Sequence, residues 1–313
     1  MSVAIEIGLG AAIVAMRDGA PCIFAAGDAL PSGAYDPRLH RTFDEALREW
    51  VEAQTGLRLG FVEQLYTFGD RGRHSLGADS GERHVVSVGY LALARGEADG
   101  AENGGEDGAE NGGEDGAARR SWRDWYGLFP WEDHRDGEPP VLARTIRPAL
   151  AEWAGGREDR TARVALLFGE AFDEERALDR YELLYEAGLV AEAVRDGRVG
   201  GGTVLPGRPM AHDHRRIVAT AITRLRAKLK YRPILFELVP PEFTLTELQR
   251  AAEAIAGRPV HKQNFRRLVE SAGLVEPTGG TSAGTGGRPA ALFRFRREVV
   301  RERPATGLRI GRR

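Results

Sequence analysis

The chain has 313 residues, 42% of them hydrophobic and 29% charged, enough for a sizeable core and for two domains of about 100–200 residues each. No apolar run reaches the roughly 18 residues of a membrane helix, and the start MSVAIEIGLGAAIVAMRDGA lacks the basic end and cleavage pattern of a signal peptide. The single cysteine, Cys22, excludes an internal disulfide and a multi-cysteine zinc site, and a cytoplasmic location is expected. The net charge of −2 hides a division. Residues 1–229 carry 28 Lys+Arg against 38 Asp+Glu, whereas residues 230–313 carry 16 against 8. An acidic body with a basic C-terminal end points to a polyanionic partner for that end. Arginine richness adds little, because all the basic residues except Lys228, Lys230 and Lys262 are arginine.

Residues 3–30 read as two strands around the break RDGAP. A helix is signalled from Thr42, with Glu45 three residues on as in a capping box and Phe43, Ala46, Leu47, Trp50 and Val51 at helical spacing. Gly56 suits a left-handed C-cap. LRLGFVEQLYTFGD and ERHVVSVGYLALARG follow as strands. Residues 100–116 hold GAENGGED twice in tandem, without apolar content. Such a segment cannot offset its ordering entropy, so a disordered acidic loop is expected at about 96–118. A helical insertion at about 145–206 follows, ending in the glycine-rich GRVGGGTVLPGRP. The helix DHRRIVATAITRLRAKLK then carries Ile217, Ala221 or Ile222, Leu225 and Leu229 on one face.

From residue 230 the grammar changes, and a second domain is expected over 230–313. ILFELVP reads as a short strand. Thr244 and Glu247 form a second capping box before a helix that stops at Gly257. HKQNFRRLVESAG follows as a helix with Phe265, Leu268, Val269 and Ala272 inward. LVEPTG and ALFRFRR are strands joined by a glycine-rich loop. Strand, helix, turn, helix and hairpin is the order of a winged helix-turn-helix. Its second helix leaves His261, Lys262, Gln263, Asn264, Arg266 and Arg267 outside, residue types that pair with base edges and phosphates. Alternation places Arg294 and Arg296 on the solvent face of the hairpin, with Arg288 at its loop. Candidate DNA contacts are therefore Thr244, Lys262, Gln263, Asn264, Arg267, Arg288, Arg294 and Arg296, with Arg266 unassigned.

The stretch from Gly33 to Leu57, followed by LYTFGDRGR and HVVSVGYLAL, resembles a Nudix domain. With DHRRIVATAITRLRAKLKYRPILFELVPPEFTLTELQ and NFRRLV, most of the chain resembles the Nudix-related transcriptional regulators of NAD metabolism. The resemblance implies an α/β fold: an N-terminal Nudix-like α/β/α sandwich over 1–229 with a C-terminal winged helix. It also implies a homodimer, a palindromic double-stranded operator, repression of NAD biosynthesis genes, and an effector such as NAD, ADP-ribose or ATP.

A Nudix hydrolase needs glutamates on one helical face, in the pattern R-E-U-x-E-E-x-G-U with U aliphatic, to hold divalent cations that neutralise phosphates and activate water. Anchored on Gly56 and Leu57, the pattern puts Glu49 at the arginine position and Trp50, Ala53 and Gln54 at the three glutamates, while Arg41 replaces the upstream one. No catalytic residue, metal ligand or required cofactor is expected in that register. A one-residue shift gives Arg48-Glu49-Trp50-Val51-Glu52, restores two carboxylates, and keeps open an active Nudix pyrophosphatase acting on ADP-ribose or NAD. A third reading is an adaptor whose basic end binds an acidic protein.

Without metal ligands, such a domain can still bind a nucleotide diphosphate. Candidate effector contacts are Arg71, Arg73, His74 and Arg83 for phosphates. Trp125 and Tyr126 come from an aromatic cluster with Trp122, Phe129 and Trp131 that would stack adenine or plug a loop. Among the histidines only His212-x-His214 is closely spaced, at an expected helix start.

Overall fold

Strand β1 (Ala4–Arg17) is long enough to organise a whole sheet, because its partners divide its length. Strand β2 (Ala20–Ala26) returns antiparallel from Arg17↔Ala20, across a turn in which Asp18 and Gly19 both have positive φ (50° and 77°). Asp-Gly supplies the two left-handed residues that a tight hairpin turn requires. Strand β3 (Ser32–Ala34) pairs with the middle of β1, at Gly8, Leu9 and Gly10. A computed structural model describes residues 4–70, 83–94, 120–198, 204–230, 233–282, 289–296 and 298. The acidic repeat lies outside them.

Helix α1 (Phe43–Thr55) begins and ends as its sequence directs. The Thr42 hydroxyl accepts from the Glu45 amide at 3.1 Å, and Gly56 closes the helix at φ 75°. The Glu45 carboxylate turns to the Arg41 amide (3.0 Å) rather than that of Thr42. Strands β4 (Val62–Phe68), β5 (Arg83–Leu93) and β6 (Arg120–Asp124) complete a sheet of order β4-β5-β1-β2-β6, with β3 on β1. Strand β5 runs parallel to β1 from Ala4↔Arg83 to Val14↔Leu93. Side chains alternate along β1, so Ala11, Ile13 and Ala15 face α1 while Ala12 and Val14 enter the opposite core.

Helix α2 (Trp125–Leu128) and the turn Pro130–Glu132 lead to the insertion. A π-helical turn, Leu142–Ile146, continues into α3 (Arg147–Ala154), then α4 (Glu158–Phe168), α5 (Ala177–Glu186) and α6 (Ala191–Arg195). Helix α7 (His214–Lys228) covers the second face of the sheet with the buried Ile217, Val218, Ala221, Ile222 and Leu225. Gly10 and Gly89 permit its close approach: a Cβ on Gly89 would lie 3.1 Å from Ile217, and one on Gly10 3.4 Å away. Helix α1, sheet and helix α7 are the three layers of a Nudix-like sandwich.

The apolar core continues beyond residue 229 without a break, through Leu235, Phe236, Leu248, Ile255, Phe265, Val269 and Leu274. Here one expectation fails. ILFELVP is no strand: Ile234–Glu237 is a single 3-10 turn with Ile234, Leu235 and Phe236 all buried. A short, wholly apolar run carries no period by which to separate the two. The strand is instead β7 (Glu242–Phe243), just before α8 (Leu245–Ala256). Helix α9 (Lys262–Ser271) follows, then β8 (Val275–Ser282) and β9 (Ala290–Phe295), in sheet order β7-β9-β8. No helix among the described residues is long and apolar enough to cross a membrane.

Candidate nucleic-acid interface and effector site

Helix α9 buries Phe265 and Val269 against the core and turns the rest of its surface outward. Lys262, Gln263, Arg266 and Arg267 are exposed, and Asn264 is half-buried. The first turn of α9 carries no carboxylate, so its free amide ends and Lys262 present only positive character. Arg267 reaches back to the Asn264 Oδ1 at 3.4 Å, which holds these two side chains together one turn apart. A helix with this outward surface is suited to a major groove.

Two of the expected contacts have other work. The Thr244 hydroxyl accepts from the Glu247 amide (3.2 Å), while the Glu247 carboxylate accepts from the Thr244 amide (2.7 Å). Thr244 is buried and committed to this capping box at the start of α8. Arg296 is half-buried and donates to the Gly273 carbonyl at 3.3 Å, so the hairpin does not present both arginines to solvent. Arg294 is exposed, but it is paired with Glu276 across the strands at 2.6 Å. Arg288 lies outside the described residues.

The brace helix α8 is held at its C-terminal end by the N-terminal body. The last carbonyls of a helix lack internal partners. The Tyr126 hydroxyl donates to the Ala254 carbonyl (2.6 Å), Arg226 Nε to that of Ile255 (2.9 Å) and the His134 amide to that of Gly257 (2.7 Å). Gly257 is required twice over. Its φ is 72°, and an added Cβ would lie 2.6 Å from the Arg226 guanidinium and strike the Glu132 carbonyl. Behind Arg226, Glu132 is fully buried between two guanidiniums, with Arg180 at 2.5 and 2.7 Å and Arg226 at 2.5 Å. Burial pushes the Glu132 carboxyl up, but the two arginines outweigh it and hold it below the usual carboxylate range. In the turn after α8, Arg258 meets the buried Glu174 at 3.3 Å.

These contacts explain where the aromatic cluster went. Trp125 is fully buried, and Tyr126 nearly so, between the body and α8. They plug an interface between domains and have no open face on which adenine could stack. The network itself was missed at the sequence level. Its signal was present in α7, where Arg215, Ile222, Arg226 and Leu229 share one face at helical spacing and all four are buried.

Of the phosphate-binding candidates, Arg71, Arg73 and His74 lie outside the described residues, as does the side chain of Arg83. Where that segment begins, Asp70 is paired with Arg216 of α7 at 2.6 Å, and Arg216 also meets Glu182 (2.5 Å) and Asp213 (3.2 Å). His214 opens α7 and accepts from the Leu30 amide at Nδ1 (3.0 Å), so His212-x-His214 belongs to a helix start. On β6, burial and the nearby Arg208 push the Arg123 guanidinium below its usual range.

Several Nudix-box positions have partners of their own. A Cβ on Gly33 would lie 2.7 Å from the Trp50 ring, so the tryptophan fills the place of a first glutamate by packing on β3. Glu49, 70% exposed, meets His40 Nε2 at 3.2 Å, and Glu52 meets Arg58 at 3.2 Å. Among the described residues, no three His, Cys, Asp or Glu side chains are grouped to hold an ion.

A Nudix-like sandwich joined to a winged helix-turn-helix defines the class. Residues 235–295 match the NrtR DNA-binding winged helix domain family. Over 86 residues the chain is 42% identical to the ADPR responsive transcriptional repressor NtrR of Acinetobacter baylyi, covering 28% of this chain and 34% of that protein. The match thus spans about a third of that relative's length. Among solved structures, Shewanella oneidensis NrtR complexed with a 27mer DNA superposes with a TM-score of 0.56 at 18% identity, over 98% of this chain and 99% of that one. A MutT/nudix family protein from Enterococcus faecalis gives 0.51 at 15% identity, over 95% and 88%. Both likenesses are of fold.

Proposed function

We propose that the protein is a transcriptional repressor whose winged helix reads double-stranded DNA and whose Nudix-like domain senses ADP-ribose or a related NAD-derived nucleotide. The observation that carries this reading is the outward surface of α9, basic and amide-bearing, within a domain of the NrtR type. The relative from Acinetobacter baylyi, described as an ADPR responsive repressor, supports the choice of effector. Effector phosphates are assigned to Arg71, Arg73, His74 and Arg83, and DNA to Lys262, Gln263, Asn264, Arg267 and Arg288, with Arg294 in support. The active unit is a homodimer on a palindromic operator, since a two-fold protein reads two-fold DNA. The target genes are those of NAD biosynthesis.

In this reading the Nudix helix is a scaffold and the protein is not a hydrolase. Trp50 and Ala53 give a cation nothing to bind, Gln54 offers a neutral amide that donates to the Ser32 carbonyl, and Glu49 and Glu52 are engaged by His40 and Arg58. The test is a duplex selected from random sequence, titrated with protein in the presence and absence of ADP-ribose. Operator affinity should shift by about 5-fold or more, the lower range of allosteric coupling. Unchanged affinity at saturating ADP-ribose would remove the effector assignment.

A further inference from the structure

The two helices of the winged domain are fastened to each other as one unit. Gln249 of α8 donates to the Val260 carbonyl at 3.0 Å, and the Val260 amide donates to the Glu253 carboxylate at 2.9 Å. Side chains of α8 thus hold the turn into α9, while Phe265 and Val269 are buried beneath the reading helix. An α8 that turns carries α9 with it.

The pose of α8 on the body is fixed in turn. Its apolar contacts through Leu248, Ala252 and Ile255 are non-directional and tolerate rolling or sliding. Hydrogen bonds are directional and do not. Donors from separate parts of the body reach its last turn: Tyr126 Oη of α2 to Ala254, Arg226 Nε of α7 to Ile255 and the His134 amide to Gly257. Anchors so close together and so differently aimed restrain both roll and tilt. Arg226 is itself held in place, because it also donates to the carboxylate and the carbonyl of the buried Glu132. Arg258, one residue past Gly257, adds its contact with Glu174.

We infer that Tyr126, Arg226 and Arg258 are positioning residues for operator recognition: by anchoring the end of α8 they set the angle at which α9 stands on the body, and through it the half-site spacing that a dimer accepts. This rests on the homodimeric repressor reading above. A base pair inserted between half-sites both displaces and rotates one against the other, since the duplex repeats about every 10–10.5 base pairs. A rigid head matches one such geometry, whereas a loosened head matches several.

The test titrates the full chain with the selected operator, with the same operator lengthened or shortened by one base pair at its centre, and with an isolated half-site. The parent should lose about 10-fold or more in affinity on either change of spacing, the order of a duplex deformation cost. Tyr126→Phe removes one anchor and keeps the ring, and Arg258→Ala, at a partly exposed side chain, guards against that variant failing to fold. Each should bind the isolated half-site as the parent does, while its spacing penalty falls to a few-fold. A merely structural role would weaken every duplex together, and that result would overturn the inference. Folded variants that keep the parent's spacing penalty would also overturn it and leave the repressor reading intact. A parent indifferent to spacing would overturn the dimeric reading and the inference with it.

Discussion

Arg226, on the helix beneath the Nudix-like sheet, donates to the carbonyl of Ile255, the penultimate residue of the brace helix in the winged domain. One buried guanidinium thus joins the body to the element that carries the reading helix. A cation at a helix C-terminus is also favoured by the helix dipole.

The network behind that contact should be costly to break. Glu132→Gln leaves Arg180 and Arg226 buried without their carboxylate, and such changes cost about 3–5 kcal/mol. Arg38→Ala, which removes an exposed ion pair with Asp36, should leave stability nearly unchanged. Urea unfolding of the two variants checks the difference.

His134 gives stability a pH dependence whose sign is fixed. Its folded value of about 4 lies below the unfolded value near 6.5. Between those values the unfolded chain takes up a proton that the folded ring refuses, so stability falls as pH falls and levels off below about 4. His134→Phe, which keeps the stack on Phe172, should flatten that window by on the order of 2 kcal/mol, allowing for solvent near the ring. Unfolding of parent and variant from pH 7 to 4 measures it.

Thr244→Ala should lower stability by about 1 kcal/mol through loss of the cap. The salt dependence of DNA binding should not change, since no phosphate contact is lost. A slope reduced by one contact would place Thr244 on the DNA after all.

Glu276 restrains Arg294 on the wing and faces the same solvent as the phosphates would. Glu276→Gln should therefore tighten binding to specific and nonspecific duplexes alike, by a few-fold at low salt. Arg294→Ala should weaken both and reduce the salt slope by about one. Anisotropy titrations of the two variants distinguish a wing that meets DNA from one that does not.

Much of this architecture was legible because local chemistry dictates it. Thr42 and Thr244 cap their helices, Gly56 and Gly257 close them, and Asp18-Gly19 turns the first hairpin. Alternation in β1 and helical spacing in α7 placed the two cores on opposite faces of one sheet. What stayed hidden depends on contacts distant in sequence. Glu132 pairs with Arg180 and Arg226, 48 and 94 residues away, and no local pattern announces such a pair. Trp125 and Tyr126 read equally as a stacking platform or a plug, because only the arrival of α8 decides between them. Thr244 followed the rule for helix starts, and its hydroxyl accepts from the Glu247 amide as a cap.

Hydrolysis separates regulator from enzyme. With Mg²⁺ or Mn²⁺ and ADP-ribose or NAD, no metal-dependent cleavage above background is expected. Turnover on the order of 1 s⁻¹ that vanishes in Glu49→Gln or Glu52→Gln would restore the pyrophosphatase reading.

The central claim is that α9 reads DNA, and the most direct measurement is operator binding by Gln263→Ala and Arg267→Ala beside the parent at several salt concentrations. The parent's affinity should fall steeply with salt, at a log–log slope of roughly −0.9 per neutralised phosphate. Each variant should lose about 1–3 kcal/mol of discrimination between operator and scrambled duplex. Variants that bind operator as tightly and selectively as the parent would contradict the account.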